Sequence, residues 1–441
     1  MNSSAFLWLL GFLMARGESG GQTLKFEVGY VSNTPLPKTT KSDREKLSKL
    51  MLEFWKQRYL QQSTIETDAA FLLPLALRSS ISGFETLAIE SRLADIQAEI
   101  DDIAFDLYNF SDADRAAALC SSGAEEEEDR DGAEDPNESE DENSGELIGQ
   151  TDALLSWAIG VAFGRFDWRL ATGERDAPPE PDPFNPLQVK SPGMLPDDAG
   201  PFHEHNGILV DDQGHPHDLP RLIEEIFARV DAEIPGDVRR WLQRDFFALH
   251  QKQYSKSRRK APIYWPLSTA SGSYTLWLYY PGLTGQTLYI AVNDFVEPKL
   301  KQVSRDTATL RDKGTSRSRD DEKAFEALQS LELELIELRD ILLQIAPTYH
   351  PNHDDGVQIT ASPLWQLFRH KPWQNILKDT WAMLEKGEYD WAHLAMAYWP
   401  ERVREKCKTD KSLAVAHDLE ALYVEPAPRL AKARGKKGVG A

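Results

Sequence analysis

Lys252, Lys256, Arg258, Arg259 and Lys260 place five cations within nine residues, with no acid among them. A patch of that density can touch several phosphates of a nucleic acid at once, and each contact releases counterions. The chain runs on as APIYWPLSTASGSYTLWLYY, so Tyr264, Trp265, Tyr274, Trp277, Tyr279 and Tyr280 follow directly. Tyr274, Leu276 and Leu278 alternate with Trp277 and Tyr279, so on a strand only one set faces outward. The competing reading is purely local: cations at the end of a helix that stops before Pro262 complement the helix dipole. As a nucleic-acid surface, Lys252, Lys256, Arg258, Arg259 and Lys260 are the candidate phosphate contacts, and Tyr264 and Trp265 support them or stack on bases.

Other constellations carry less. The segment FHEHNGILVDDQGHPHDLP gathers His203, His205, His215, His217, Asp211, Asp212 and Asp218, residue types that suit zinc or manganese. Each histidine pair is separated by one residue, so on a strand a pair faces one way and nothing fixes a tetrahedral set. A polar surface loop is the expectation, and no metal ligand is assigned. Glu297-Pro298-Lys299 has the letters of the second half of a Pro-Asp…Glu-x-Lys nuclease motif, but the nearest preceding Pro-Asp pairs lie far upstream, at 181–182 and 196–197. Asp182-Pro183-Phe184 approaches the loop by which adenine amino methyltransferases hold a flipped base, yet lacks its second proline. No glycine-rich methyl-donor turn, Walker-type loop or Gly-x-Ser-x-Gly elbow occurs. No catalytic residue is assigned.

The elements that would position these residues are mostly helical. Of 441 residues, 41% are apolar and 27% charged, a globular composition long enough for two or three domains. The net charge of −21 misleads, because the run EEEEDRDGAEDPNESEDENSGE (125–146) alone accounts for −12 and reads as a solvated linker or as an arm that mimics nucleic acid. Cys120 and Cys407, far apart, support neither a disulfide framework nor zinc, and point to a reducing cytoplasm. The apolar run from Ala5 to Met14 has no basic flank before it and is too short to cross a bilayer. Phe6, Leu9, Leu10 and Leu13 are expected to form a buried helix face. That helix starts so early that the chain reads as beginning partway through a domain.

Phe26, Val28 and Tyr30 alternate before Pro35 and Pro37, which predicts a short strand. Helices are predicted over 41–60 and 85–108, the latter with a seam through Leu93, Ile96, Ile100, Ile103 and Leu107. A second seam runs from Phe325 to Ile345, ended by Pro347. Both seams suit either a core helix or a spacer paired with another long helix. Residues 174–201 read as a fixed loop, 219–232 and 236–253 as helices, Pro281, Gly282 and Gly285 as hairpin punctuation, 301–322 as polar and mobile, and 357–424 as helical.

The motifs YSKSRRKAPIYW, SGSYTLWLYY and NDFVEPKL resemble the C-terminal part of the BREX-type (PglX-like) adenine-specific DNA methyltransferases, relatives of the type IIG restriction-modification enzymes. FEVGYVSNTPLP (26–37), ADIQAEIDDIAFDLYNFSDADR (94–115), GRFDWRLATGERDAPPEPDPF (164–184), GILVDD (207–212), HDDGVQITASPLW (353–365) and YDWAHLAMAYWPERVREKCKTDKSLAVAH (389–417) extend the likeness over nearly the whole chain. The resemblance implies an α+β, helix-rich fold: a partial target-recognition region and spacer helix (1–118), an acidic linker (119–150), a DNA-contacting α+β region (151–310), a helical C-terminal region (311–428) and a basic tail (429–441). It implies no complete methyltransferase domain, because the family's donor site and Asn-Pro-Pro-aromatic loop precede these motifs and Met1 falls inside the recognition region. S-adenosylmethionine is then expected in the missing catalytic part and no cofactor in this chain. The expected partners are double-stranded DNA and a methyltransferase catalytic domain or other defence-system subunits, with no membrane. The alternative is a protein-interaction module of the defence complex that does not itself bind DNA.

Overall fold

The computed structural model describes residues 3–13, 28–82, 84–128, 149–186, 188–256 and 259–425, of which 79–82, 121–128, 256 and 259 are described by backbone alone. These residues are helix-rich with little strand, an α+β composition. They divide into two compact units, Met1–His203 with Ile223–Gly236, and Glu204–Leu222 with Asp237–Ala441. The division falls inside the segment 151–310 that the sequence treats as one region. Among the described residues no helix is long and apolar enough to cross a membrane.

The first unit contains α1 (Ser4–Leu13), α2 (Val28–Asn33), α3 (Lys41–Gln62), α4 (Leu75–Ser82), α5 (Thr86–Tyr108), α6 (Asp112–Glu128), α7 (Gln150–Ala162) and α8 (Arg169–Thr172). A capping box between Thr40 and Asp43 starts α3. The α5 seam buries Leu93, Ile96 and Ile100, and Leu50 of α3 meets the last two. Asn109 ends α5 in the left-handed region (φ 55°), which its short side chain tolerates. The α1 helix buries Phe6 and Leu10, but Leu9 is only half-buried and Leu13 is exposed. Its start is tied to α5, since the Ser4 amide and hydroxyl both donate to the buried Asp101 carboxylate, at 2.6 and 2.9 Å. Residues Leu154 to Ala162 of α7 are buried on every side; the run is apolar but for Ser156, whose hydroxyl donates to the buried Glu66 carboxylate at 2.6 Å.

The loop that follows α8 is held by backbone contacts. Gly193 N–H donates to Phe71 O at 2.8 Å, and a Cβ at that position would lie 2.3 Å from the Leu72 carbonyl oxygen. Arg169 and Arg175 both reach the buried Asp167 carboxylate, at 2.8 and 2.9 Å.

The second unit contains β1 (Ile208–Asp211), the start of α9 (Leu219–Arg229), α10 (Val238–Trp241), a π-helical turn over Leu242–Phe246, and α11 (Phe247–Gln253). The strands β2 (Ser255–Lys256), β3 (Arg259–Lys260), β4 (Tyr264–Ser268) and β5 (Thr275–Tyr279) come next. Then follow α12 (Thr287–Ile290), α13 (Glu297–Asp312), α14 (Arg319–Ile345), α15 (Val357–Ala361), α16 (Lys371–Lys386), α17 (His393–Tyr398), α18 (Pro400–Cys407) and α19 (Lys411–Ala416). The antiparallel sheet has the order β1-β5-β4, with Leu209, Trp277 and Pro266 in one row across it and Asp211, Thr275 and Ser268 in another. Alternation sends Ile208, Val210, Trp265, Leu267, Leu276 and Leu278 to one face, where they share a core with Val292, Val303, Leu335, Leu338 and Leu342. A second core gathers Leu384, Leu394, Ala395, Val403 and Cys407.

Several expectations are corrected. Val28 and Tyr30 lie on the α2 helix, not on a strand: Tyr30 and Val31 pack against Phe6 and Leu10. A period of two over so few residues does not separate strand from helix. Phe26 is outside the described residues, as are 129–146 of the acidic run, Arg258 and the basic tail. Residues 301–322 are no mobile stretch. Leu300, Val303 and Thr307 of α13 are buried at helical spacing, and a Ser318–Asp321 capping box opens α14. Pro281 and Gly282 form a 3-10 turn leading toward α12, while the hairpin turn lies earlier, between Ser268 and Thr275. Neither side of the β5 alternation faces outward, since Trp277 is as buried as Leu276 and Leu278.

Candidate functional site

The second face of the sheet is covered by α10, the π turn and α11. Phe246 packs on Trp277 and Tyr264, with centroids 5.5 and 6.3 Å apart. Beside this contact a cavity of about 310 Å³ remains, lined from the sheet by Asp211, Pro266, Ser268, Thr275 and Trp277. Gln243 and Arg244 of the π turn and Phe247 of α11 line the helical side, and Arg369, His370 and Lys371 the third.

The sheet supplies a polar row here. Ser268 and Thr275 hydroxyls hydrogen-bond each other at 2.8 Å. Asp211 completes the row, with Oδ1 held by Arg239 and Oδ2 accepting from Gln243 Nε2 at 2.7 Å. Burial pushes the Asp211 carboxyl above its usual range, against the pull of Gln243 and Arg239. Arg239 also binds the buried Asp218 at 2.7 Å, and Asp218 Oδ1 accepts the Asp212 N–H. This acid network is closed upon itself and anchors β1 to the first turn of α10.

The cationic side comes from the start of α16. Arg369 donates from Nε to Thr269 O at 2.8 Å and from its guanidinium to Ser268 O at 2.7 Å, which ties it to the end of β4. Burial lowers its pKa. His370, the residue before α16, makes no side-chain cap and stands edge-on to Phe247. Burial, and then the neighbouring Lys260 ammonium, push its pKa down. Lys371 reaches Gln374 Oε1 at 2.9 Å.

The sequence-derived candidates fall unevenly. Lys260 on β3 is half-buried and lies close enough to His370 to act on it electrostatically. Lys252 is exposed on α11. The backbones of Lys256 and Arg259 pair across β2 and β3. Tyr264 and Trp265 are fully buried, so neither offers a ring on which a base could stack. Tyr264 stacks on Tyr279 at 5.5 Å, and its N–H, with that of Ile263, donates to His250 Nε2. Trp265 packs against Tyr280, and its indole N–H donates to Pro262 O at 2.8 Å. Of the two roles considered for this pair, only support is compatible with that burial.

His215 and His217 stand half-buried beside Phe295, and burial depresses both. Among the described residues no group of three His, Cys, Asp or Glu is arranged to hold a metal ion. Lys299 is paired with Asp212 at 2.6 Å and Glu297 with Arg339 at 3.5 Å, so both charged residues of the nuclease-like triplet are in ion pairs. Sequence reasoning missed Arg244, Arg369, His370 and Lys371. A signal for the last three was present: FRHKPW sets three basic residues directly before a proline suited to a helix start. No protein-family model matches the chain, and neither does any curated protein sequence.

Proposed function

We propose that this chain is the DNA-binding, target-recognition portion of an adenine-N6 DNA methyltransferase of a phage-defence system of the BREX or restriction-modification kind. The observation that carries this reading is the concentration of positive charge in one unit of an acidic chain. Lys260, the last residue of the basic run, lies close enough to His370 to depress its pKa, and Arg369 and Lys371 flank that histidine in sequence and line the same cavity. Phosphate contacts of this kind position a protein on a duplex, and bases are read by other side chains. The helix-rich α+β fold, with long α5 and α14, is compatible with a partial recognition region and spacer helices. The residues present do not fit S-adenosylmethionine: the sequence holds neither the glycine-rich donor turn nor an Asn-Pro-Pro-aromatic loop. Donor binding and methyl transfer would therefore be supplied from outside these 441 residues, in the cytoplasm.

The test is duplex binding by the full chain, followed by fluorescence anisotropy across a salt series. Replacing Arg258, Arg259 and Lys260 by alanine should weaken binding evenly across sequences and flatten the salt slope by about one unit per lost phosphate contact. Unchanged affinity in that variant would remove the patch from the reading. A second reading, a protein-interaction module without DNA binding, draws on the exposed apolar side chains Phe12, Val28 and Leu36 of the first unit. Partner capture that survives nuclease treatment, with no duplex affinity, would favour it.

A further inference from the structure

The cavity on the second sheet face has a composition that the acid network beside it does not explain. Arg244, Arg369, His370 and Lys371 all line it. The single carboxylate lining it, Asp211, has both oxygens engaged by Arg239 and Gln243, so it is not the partner of the three cations Arg244, Arg369 and Lys371. Trp277 lines the same cavity, is 2% exposed, and has an indole N–H without a hydrogen-bond partner. A buried donor left in this way costs free energy unless something accepts from it. Nδ1 of His370 is likewise buried and unpartnered. Ser268 and Thr275 hydroxyls satisfy each other once, which leaves one of the two protons free to donate elsewhere.

Arg369 spends two of its five N–H groups on Thr269 O and Ser268 O, and Lys371 one of three on Gln374 Oε1, so both keep donors to spare, and the donors lining the cavity come from three separate elements: the sheet, the π turn and the start of α16. The volume of about 310 Å³ lies at the lower end of the range of about 300–1,000 Å³ for ligand pockets. That suits a compact tetrahedral oxyanion with its waters rather than a whole cofactor. A carboxylate, with two oxygens in one plane, would leave donors unused. Arginine and lysine with a directional N–H and a hydroxyl are the groups that recognise phosphate oxygens.

We propose that this cavity binds a phosphate group, with Arg244, Arg369 and Lys371 supplying charge, and the Trp277 N–H, the neutral His370 imidazole and the Ser268–Thr275 pair supplying hydrogen bonds. The inference goes beyond the DNA reading, because a phosphate ester on a small molecule satisfies the same chemistry as a backbone phosphodiester.

The experiment is a phosphorus NMR titration of the full chain with inorganic phosphate, repeated with a short DNA duplex present. Saturable binding is expected. Trp277→Phe keeps the ring and removes the donor, and should weaken phosphate binding about tenfold or more, the usual worth of a hydrogen bond to a charged group. Arg244→Ala combined with Lys371→Ala alters two exposed side chains, leaves the core intact, and should have an effect of similar size. This double variant carries the test if Trp277→Phe does not fold. Phosphate that competes with the duplex identifies the backbone as the source. Phosphate bound with duplex affinity unchanged identifies a separate small ligand. Absence of saturable phosphate binding by the wild-type chain, or equal binding by the folded double variant, overturns the proposal whether or not the chain binds DNA.

Discussion

Arg239 is the side chain on which the sheet-face network turns. Its guanidinium binds Asp211 and, at 2.7 Å, Asp218. The two carboxylates are 5% and 3% exposed while Arg239 itself is 31% exposed, so the acids are deep and the base sits at the margin. Arg239→Ala leaves two buried carboxylates without their cation, and removing one partner of a buried pair costs about 3–5 kcal/mol. The partial exposure of Arg239 admits water into the gap, which places the expected loss near the lower figure, about 3 kcal/mol. With a denaturant slope of about 2–3 kcal/mol/M, the urea midpoint should fall by about 1 M or more.

The pH dependence has a definite sign. The folded Asp211 carboxyl already binds its proton more readily than the unfolded chain does, because burial raises its pKa. A group of that kind stabilises the fold below its unfolded pKa and loses that contribution as pH rises through the folded value. Without Arg239 the folded value rises further, so the deficit of the variant should be largest near neutrality and shrink in acid. Adding Asp211→Asn should recover part of the loss at neutral pH. Urea unfolding followed by tryptophan fluorescence at two pH values, for wild type, Arg239→Ala and the double variant, measures all three terms. A midpoint unchanged within error, or a deficit that grows in acid, would refute the reasoning.

Three further predictions follow from single contacts. Gly193→Ala puts a methyl group 2.3 Å from the Leu72 carbonyl oxygen, a backbone atom with no rotamer to escape into, and should cost about 2 kcal/mol or more by thermal unfolding. Asp355 accepts the N–H groups of His393 and Leu394 at the start of α17, at 2.7 and 2.8 Å, so Asp355→Ala should cost about 1–2 kcal/mol and speed amide exchange at 393–395. His370, depressed by burial and by Lys260, with Phe247 and Lys371 beside it, is neutral at physiological pH. Its contribution to stability is present above about pH 6.5 and lost as pH falls through its lower folded pKa. Lys260→Ala should move that pKa back up, read by proton NMR of the imidazole, and no movement would separate the basic run from the cavity.

Much of the helical content was legible because long seams repeat the same signal. Leu93, Ile96 and Ile100, and likewise Leu335, Leu338 and Leu342, alternate in steps of three and four, and both sets are buried. The α13 helix was not legible, since its apolar residues are few and its charges dominate any window. The α2 helix misled because its alternation was too short to choose a period. At the candidate site, Lys260 was visible as part of a run. Arg244 was not, for a lone arginine on a helix carries no mark of what the π turn brings near it. Tyr264 and Trp265 looked like a stacking surface because an aromatic beside a cation has that appearance in one dimension. Whether the second sheet face is covered depends on α11, and no local pattern encodes that.

The chain passes between its two units three times, at 203, 222 and 236, and this limits how the protein can be divided. A cut after His203 would not liberate the first unit whole, because Arg229, whose guanidinium lies over the Trp168 ring at 4.8 Å, would leave with the other piece. Neither unit is a contiguous cassette that recombination could exchange by a single crossover. An exchange that carried the first unit whole would have to carry 204–236 with it, or leave that unit with part of its own chain missing.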